Sequence, residues 1–202
     1  MNKISIIGVG ATGSIVAEML ARLELPFDAY DFDTVESKNV INQIYTEKDV
    51  GKAKVDALKE RIKSINPNLA CNYFNQKVTT EDARLLKGTI FLLVDSMSSR
   101  KEIVEALSPM VDRVIETRLG GDSGRVLTFR PSISAERKFW MGTLFTDEES
   151  SESICGTVQG LYFVASHLAS LAVITFRNSD TENEINDLNY GVYNFFYHKT
   201  KV

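Results

Sequence analysis

The sequence predicts an α/β fold built on a doubly wound, mainly parallel sheet, three layers deep as α/β/α, with antiparallel strands added at one edge. Three observations carry this. A short apolar run, Lys3 to Val9, enters Gly8-Val9-Gly10-Ala11-Thr12-Gly13 and then a helical pattern. A second run, Phe27 to Tyr30, ends on Asp31, and further short apolar runs recur between helical segments. Finally, Leu119-Gly-Gly-Asp-Ser-Gly reads as a tight reversal before the strand Arg125 to Arg130.

The first unit is strand, glycine turn, helix, with Ile15, Met19, Leu20 and Leu23 on one helical side. Such a turn lets backbone N–H groups and the positive helix end approach phosphate or ribose, which makes the pattern Rossmann-like. Asp31 stands at the distance from the glycines where an acid accepts hydrogen bonds from ribose hydroxyls. An NAD-dependent dehydrogenase and a plain strand-helix turn share these features. The dehydrogenase is disfavoured because a polar loop of Asp33, Glu36, Asn39, Asn42 and Gln43 follows, where its next helix would stand.

The loop ends in Asp49-Val50-Gly51-Lys52-Ala53-Lys54, and a helix is predicted from Gly51 to about Ile65, with Val55, Leu58, Ile62 and Ile65 at helical spacing and Asn66-Pro67 as a stop. Lys52 and Lys54 fall in its first turn, where cations oppose the macrodipole unless an anion is near. Ala70 to Phe74 reads as a strand with Cys71 in the core. Phe91 to Val94 is a strand ending at Asp95, and Val114-Ile115 is a fifth whose carboxyl end, Glu116-Thr117-Arg118, faces the crevice. Pro131 to Ser153 reads as a polar, irregular loop carrying Trp140. A last helix from about Gly156 to Arg177 is apolar on nearly all sides and needs cover on more than one face; His167 is expected inside it as a core or interface group. The acidic stretch Asp180 to Asp187 reads as a surface loop, followed by terminal strands within about 185–199.

Gross properties fit one domain, 1–202: 202 residues with 44% hydrophobic content are enough for one continuous core. A net charge of -4 and a pI near 5.3 argue against binding driven by nucleic-acid phosphates. Two cysteines and two histidines supply neither a disulfide framework nor a four-ligand zinc site at familiar spacing. The run Leu161 to Phe176, broken by Ser166, His167 and Ser170, is a buried helix rather than a membrane span. Lys3 leads into Ile4-Ser5-Ile6-Ile7 without a cleavage signal, so a cytoplasmic protein is expected.

Taken together, these motifs resemble the ubiquitin-activating-type adenylyltransferases, the ThiF/MoeB/HesA group. The family's glycine turn matches Gly8, Gly10 and Gly13, its D-x-D-x-V-E-x-x-N run matches Asp31, Asp33, Val35, Glu36 and Asn39, and its D-x-G-x-x-K element matches Asp49, Gly51 and Lys54. Asn66-Pro67, Asp95 with Arg100 five residues on, and more loosely Cys155-Gly156 extend the match from Lys3 to about Arg177. The resemblance implies an ATP site in which Asp31 binds ribose, Lys54 neutralises phosphate, Asn39 and Gln43 fix the triphosphate and Asp95 holds magnesium. It also implies that the stretch of about 131–154 is a crossover loop, and with it an acyl-adenylate product, a substrate that is the C-terminus of a ubiquitin-like protein or peptide or a small carboxylate, and a homodimer.

The sequence departs from the family at several positions. Asn42 stands where members usually carry an arginine, Ser96 where an asparagine usually follows the metal aspartate, and Ala11 in place of a further glycine. Many members supply an arginine to the partner subunit from a helix before the first strand; this sequence opens on that strand, so that contribution is not expected. Arg118 is the first candidate to replace the missing cation, with Arg22, Arg100 and Arg125 behind it. A degenerate subunit that leaves the chemistry to a partner is the competing reading. Cys155, at the start of the last helix, is either a thiol activated by the helix dipole or an inert packed one.

Overall fold

The computed structural model describes residues 3–120, 123–147, 161–178, 184–191 and 194–201. β1 (Ile4–Ile7), α1 (Ala11–Arg22) and β2 (Asp28–Asp31) form the opening unit. The loop after β2 carries the short α2 (Ser37–Val40) and a 3-10 turn at Glu47–Asp49, and α3 (Lys54–Ile65) leads to β3 (Asn72–Asn75). Then come α4 (Thr80–Ala83), β4 (Gly88–Leu92), α5 (Met97–Ala106), β5 (Val111–Gly120) and β6 (Ser123–Phe129). α6 (Ser134–Met141), α7 (Leu161–Arg177), β7 (Glu184–Gly191) and β8 (Asn194–Lys201) complete the described elements.

The sheet order is β3-β2-β1-β4-β5-β6-β7-β8. The first five strands are mutually parallel, and β6, β7 and β8 each join antiparallel. The chain winds outward in one direction from β1 to β3 and in the other from β4, so the crevice of the doubly wound sheet opens beyond the carboxyl ends of β1 and β4. Side chains alternate between the two faces as a twofold strand period requires. Ile6, Phe91, Ile115 and Val126 pack in the layer of α1, α3 and α7. Ile7, Ile90, Leu92, Val114 and Leu127 pack in the layer that holds Ile103 and Val104 of α5 and Trp140 of α6.

Five local expectations need correction. α3 starts at Lys54 rather than Gly51, because Gly51 has a positive φ of 88° and its N–H bonds the Val35 carbonyl at 2.9 Å. The segment 131–147 is not an irregular loop, since it contains α6, and Trp140 is buried rather than exposed. The apolar residues of α6, Phe139, Trp140 and Met141, are consecutive, so no helical period could reveal it. The acidic stretch 180–187 yields part of β7, from Glu184, whose pairing with β6 is a backbone matter to which side-chain polarity is a poor guide. His167 is exposed on α7, with Val164 and Leu168 facing inward, and Cys71 is only half-buried, just before β3.

α6 is tied to the sheet by charge as well as packing. Glu136, buried, accepts the Arg130 backbone N–H at 2.6 Å and its Nε at 2.8 Å. Trp140 stacks on Phe129 with ring centroids 5.1 Å apart and donates its indole N–H to Glu116. Glu116, wholly buried on β5, also accepts from Arg100 Nη1 at 2.6 Å and from Arg118 Nε at 2.9 Å. Burial pushes this carboxyl up, but the two guanidinium groups and the indole N–H outweigh it and hold it below its ordinary value of 4.5.

Two outcomes are expected. A Cβ on Gly13 would sit 2.0 Å from the Gly8 carbonyl oxygen, and one on Gly8, whose φ is 90°, would sit 2.7 Å from that of Leu93. Gly8→Ala and Gly13→Ala should each cost on the order of 2–3 kcal/mol in urea unfolding. Gly10→Ala, with nothing within 4 Å of the added carbon, should stay within about 0.5 kcal/mol of the parent. For Glu116, the folded pKa is depressed, so its contribution is present above the unfolded value of 4.5 and is lost as pH falls through the lower folded value. Glu116→Gln should therefore flatten the acid limb of stability against pH below 4.5, read from urea midpoints.

Candidate functional site

The glycine turn is held from both sides of one residue. The Val9 N–H donates to Asp31 Oδ2 at 2.7 Å, and the Val9 carbonyl accepts the Tyr45 hydroxyl at 2.7 Å. Both partners are buried. Asp31 also accepts the Asp33 N–H on Oδ1 at 2.9 Å, so each oxygen of the predicted ribose acid already serves the backbone, with further lone-pair capacity on each. Burial raises the Asp31 carboxyl, opposed by Lys54 and by the two backbone donors. Tyr45 is pushed well above its ordinary value by burial and then by Asp31 and Asp49, so it stays a proton donor. Sequence reading missed Tyr45; a lone tyrosine inside a polar loop carries no periodic signal.

The loop from Asp31 to Lys54 closes on itself. Thr34 bridges Ala53, Val35 N–H bonds the Lys52 carbonyl at 2.9 Å, and Lys54 N–H bonds that of Asp33 at 2.9 Å. Lys54 thereby stands at the first position of α3, and its Nζ pairs with Asp33 Oδ2 at 2.7 Å. The lysine side chain is 9% exposed and the aspartate's 49%, so the anion that offsets the unfavourable helix-end cation faces outward. Lys52 sits before the helix on Asp49 and Glu60.

Asn39 is buried and commits its side-chain oxygen to the Glu36 N–H at 2.9 Å. Asn42 and Gln43 turn back on the Asn39 carbonyl through their backbone N–H groups. Asn42 is fully buried, and among the described residues neither of its side-chain polar atoms nor the Gln43 Oε1 has a hydrogen-bond partner. Buried amides of this kind are rare in folded proteins and point to a polar group that the loop is shaped to meet. Residues fit an anionic, oxygen-rich group here: one lysine, two amides, and Gly10, around which 4 Å of space is open at the start of α1.

Asp95 is exposed on the turn between β4 and α5. The glycine turn and this turn abut, since Gly8 lies against the Leu93 carbonyl. Arg100 fixes the turn from below, donating through Nη2 to the Val94 carbonyl and to that of Thr117 at 2.9 Å. A single carboxylate suits magnesium, which takes one or two carboxylates and completes its shell with phosphate oxygens and water.

The candidate replacement arginines lie elsewhere than a free phosphate cation would. Arg118 donates to Glu116 through Nε and Nη2 and to Thr143 through Nη1 and Nη2, at 2.6 to 3.1 Å, which occupies its whole guanidinium. Arg100 is buried on Glu116. Arg22 closes the far end of α1, paired with Glu18, about 18 Å of helix away from the glycine turn. Arg125 stands opposite Arg118 in the β5–β6 register. Cys155 lies outside the described residues. The structure thus joins Asp31 and Tyr45 to Val9 of the glycine turn, Asp33 to Asp31 and Lys54 to Asp33, while Asn39, Asn42 and Gln43 form their own turn in the same loop and Asp95 stands on the turn after β4.

The family model described as ThiF family matches residues 1–199. Ubiquitin-like modifier-activating enzyme 5 of Bombyx mori is 28% identical over 149 residues, 65% of this chain and 38% of that protein. The Xenopus laevis protein of the same name is 32% identical over 150 residues, 65% of this chain and 38% of that one. Among solved structures, the microcin C7 biosynthetic enzyme MccB with N-formylated MccA superposes with a TM-score of 0.73 at 18% identity, covering 99% of this chain and 64% of MccB. PaaA gives 0.67 at 21% identity, covering 100% of this chain and 64% of PaaA. At these identities the structures establish the fold alone. This chain spans about two-fifths of the two activating enzymes and just under two thirds of the two solved chains. Spanning nearly its whole length, the family match and the doubly wound sheet that bears it place this chain in the ThiF family.

Proposed function

We propose that the chain binds ATP with magnesium and converts a carboxylate to its acyl-adenylate, releasing pyrophosphate. The carboxylate proposed is the C-terminus of a ubiquitin-like protein or peptide, with a small acid as the remaining class. The observation that carries this reading is the pinned glycine turn, open at Gly10 where α1 starts and held by a loop that also carries Lys54 and two buried amides with unbonded polar atoms. Relatives of the chain are named as ubiquitin-like modifier-activating enzymes, and E. coli MccB has been solved with ATP and with MccA. A cytoplasmic protein acting as a homodimer belongs to the same reading. Among the described residues no helix is long and apolar enough to cross a membrane, and α7 exposes Phe163 and Ile174 on its outer side.

In the proposed reaction a carboxylate oxygen forms a bond to the α-phosphorus while the bond from that phosphorus to the bridging oxygen breaks, and the electron pair leaves with pyrophosphate. Both partners are anionic, so the chain's contribution is alignment and charge spreading. Gly10 and the first N–H groups of α1 receive phosphate oxygens. Lys54, held in place by Asp33, presents a cation whose position is set before the nucleotide arrives. Asn42 and Gln43 offer neutral amide dipoles, and Asp31 has lone-pair capacity left for ribose hydroxyls. Magnesium held by Asp95 would supply charge neutralisation. Ser96, which follows that aspartate, caps α5 by accepting the Ser99 N–H at 3.2 Å and so stiffens the turn.

ATP–pyrophosphate exchange with peptides ending in free glycine, and with small acids, tests the reading. Lys54→Met should lower exchange about 10²-fold or more, in line with loss of one charge-stabilising donor. Asp95→Asn should lower it comparably and raise the magnesium concentration required. Absence of MgATP affinity in calorimetry of the parent chain would overturn the proposal, and affinity without exchange for any carboxylate would restrict it to nucleotide binding.

A further inference from the structure

The Arg100–Glu116–Arg118 cluster has two ends, and they lie on different walls of the crevice. On one side Arg100 grips the carbonyls of Val94 and Thr117, next to the Asp95 turn. On the other, Arg118 grips Thr143 by its carbonyl at 2.6 Å and its hydroxyl at 2.9 Å, and that hydroxyl donates to the Trp140 carbonyl at 2.7 Å. The residues that follow run back toward Asp95. Phe145 lies by the Arg118 guanidinium, 5.9 Å from ring centroid to Cζ, with 41% of its surface exposed. Asp147 accepts the Met97 N–H at 2.5 Å, the Ser98 N–H at 3.2 Å and the Ser96 hydroxyl at 3.2 Å, at the start of α5. Residues 140–147 therefore form a strap fastened at Trp140 and Thr143 to the sheet and at Asp147 to the helix beside Asp95.

Among the described residues one group touches both guanidinium ions, the Glu116 carboxylate, and it is wholly buried. Solvent cannot reach this carboxylate to replace its bonds, and through it the two guanidinium ions are held to one another.

We propose that Glu116 and Arg118 are positioning residues that join the strap, as the wall receiving the acyl substrate, to the turn bearing Asp95. This rests on the adenylation reading only for what the two walls hold. Arg118 serves the strap alone, whereas Glu116 serves both walls. Phe145 gives the strap an apolar surface for the residue preceding the reacting carboxylate.

Amide hydrogen exchange on the full chain, paired with calorimetry using MgATP, tests this. The Thr143 and Leu144 amides, bonded to Trp140 and Met141 carbonyls at 2.9 and 3.2 Å, report the strap. Those of Leu93 and Ser99 report the turn. Arg118→Ala should speed exchange of the strap pair at least tenfold, while the turn pair and the MgATP dissociation constant stay within twofold. Arg118→Lys, which keeps the charge, should bring the strap pair back to within threefold of the parent. Glu116→Gln should speed both pairs and weaken MgATP at least fivefold. An unchanged strap in Arg118→Ala, or a uniform speeding of all core amides in Arg118→Ala and Arg118→Lys alike, would overturn the proposal, and these two variants decide it even if Glu116→Gln does not fold. Should the parent chain bind no MgATP, the adenylation reading fails while the exchange data still decide whether the relay exists.

Discussion

The rest of the structure depends on how the Val9 peptide groups are held. A turn that exposes helix N–H groups to an anion is open by construction, and an open turn needs to be fixed from its sides. Asp31 takes the Val9 N–H and Tyr45 the Val9 carbonyl, from two ends of one loop. The loop can do this because it is closed by the pairing of Asp33–Val35 with residues 51–54. That same closure delivers Lys54 to the first position of α3 and sets it on Asp33. One arrangement of backbone bonds therefore fixes the turn and the cation together.

Charge and burial pull against each other throughout this loop. Asp31 is buried deeply enough that desolvation raises its carboxyl despite Lys54 and two N–H donors, so the site sits near the limit of what backbone bonding can offset. Asn42 adds to that load, since a fully buried amide with no partner is a net cost to folding. Such costs collect at functional loops because the rest of the molecule over-determines them. Here the determining parts are the rigid β1–α1 unit below and the well-packed start of α3, with Val55 and Leu58 in the core.

Much of the fold was legible because it rests on local pattern. The glycine turn, the acid ending β2 and the spacing of Val55, Leu58 and Ile62 are each short-range signals, and the mainly parallel class follows from the alternation of strand and helix, whereas the strand order is read only from the structure. The site was legible as a set of residue types between Asp31 and Lys54 but not as a geometry. Nothing in the sequence shows that Tyr45 closes onto Val9, a contact across 36 positions. Nor does it show that Arg118 turns toward Glu116 rather than the crevice, because both neighbours lie on the same strand two residues apart and either side chain orientation satisfies the pattern. α6 was hidden for a different reason: it is anchored by Glu136 and Trp140 through long-range partners, while its own apolar residues have no helical spacing.

The fate of Arg118 bears on how a family member manages with Asn42 in place of arginine. An arginine free in the crevice would bring charge to the phosphates at the cost of mobility in a long side chain. In this chain the guanidinium is instead locked on a buried carboxylate shared with Arg100, and two cations against one anion leave the cluster positive. Arg100 is wholly enclosed, and Asp95 is among the charges that favour its protonated form. Arg118 is thereby committed to holding residues 140–147 to the sheet rather than to a ligand, so on the adenylation reading the charge that an arginine would have brought falls to Lys54, set on Asp33 at the first position of α3.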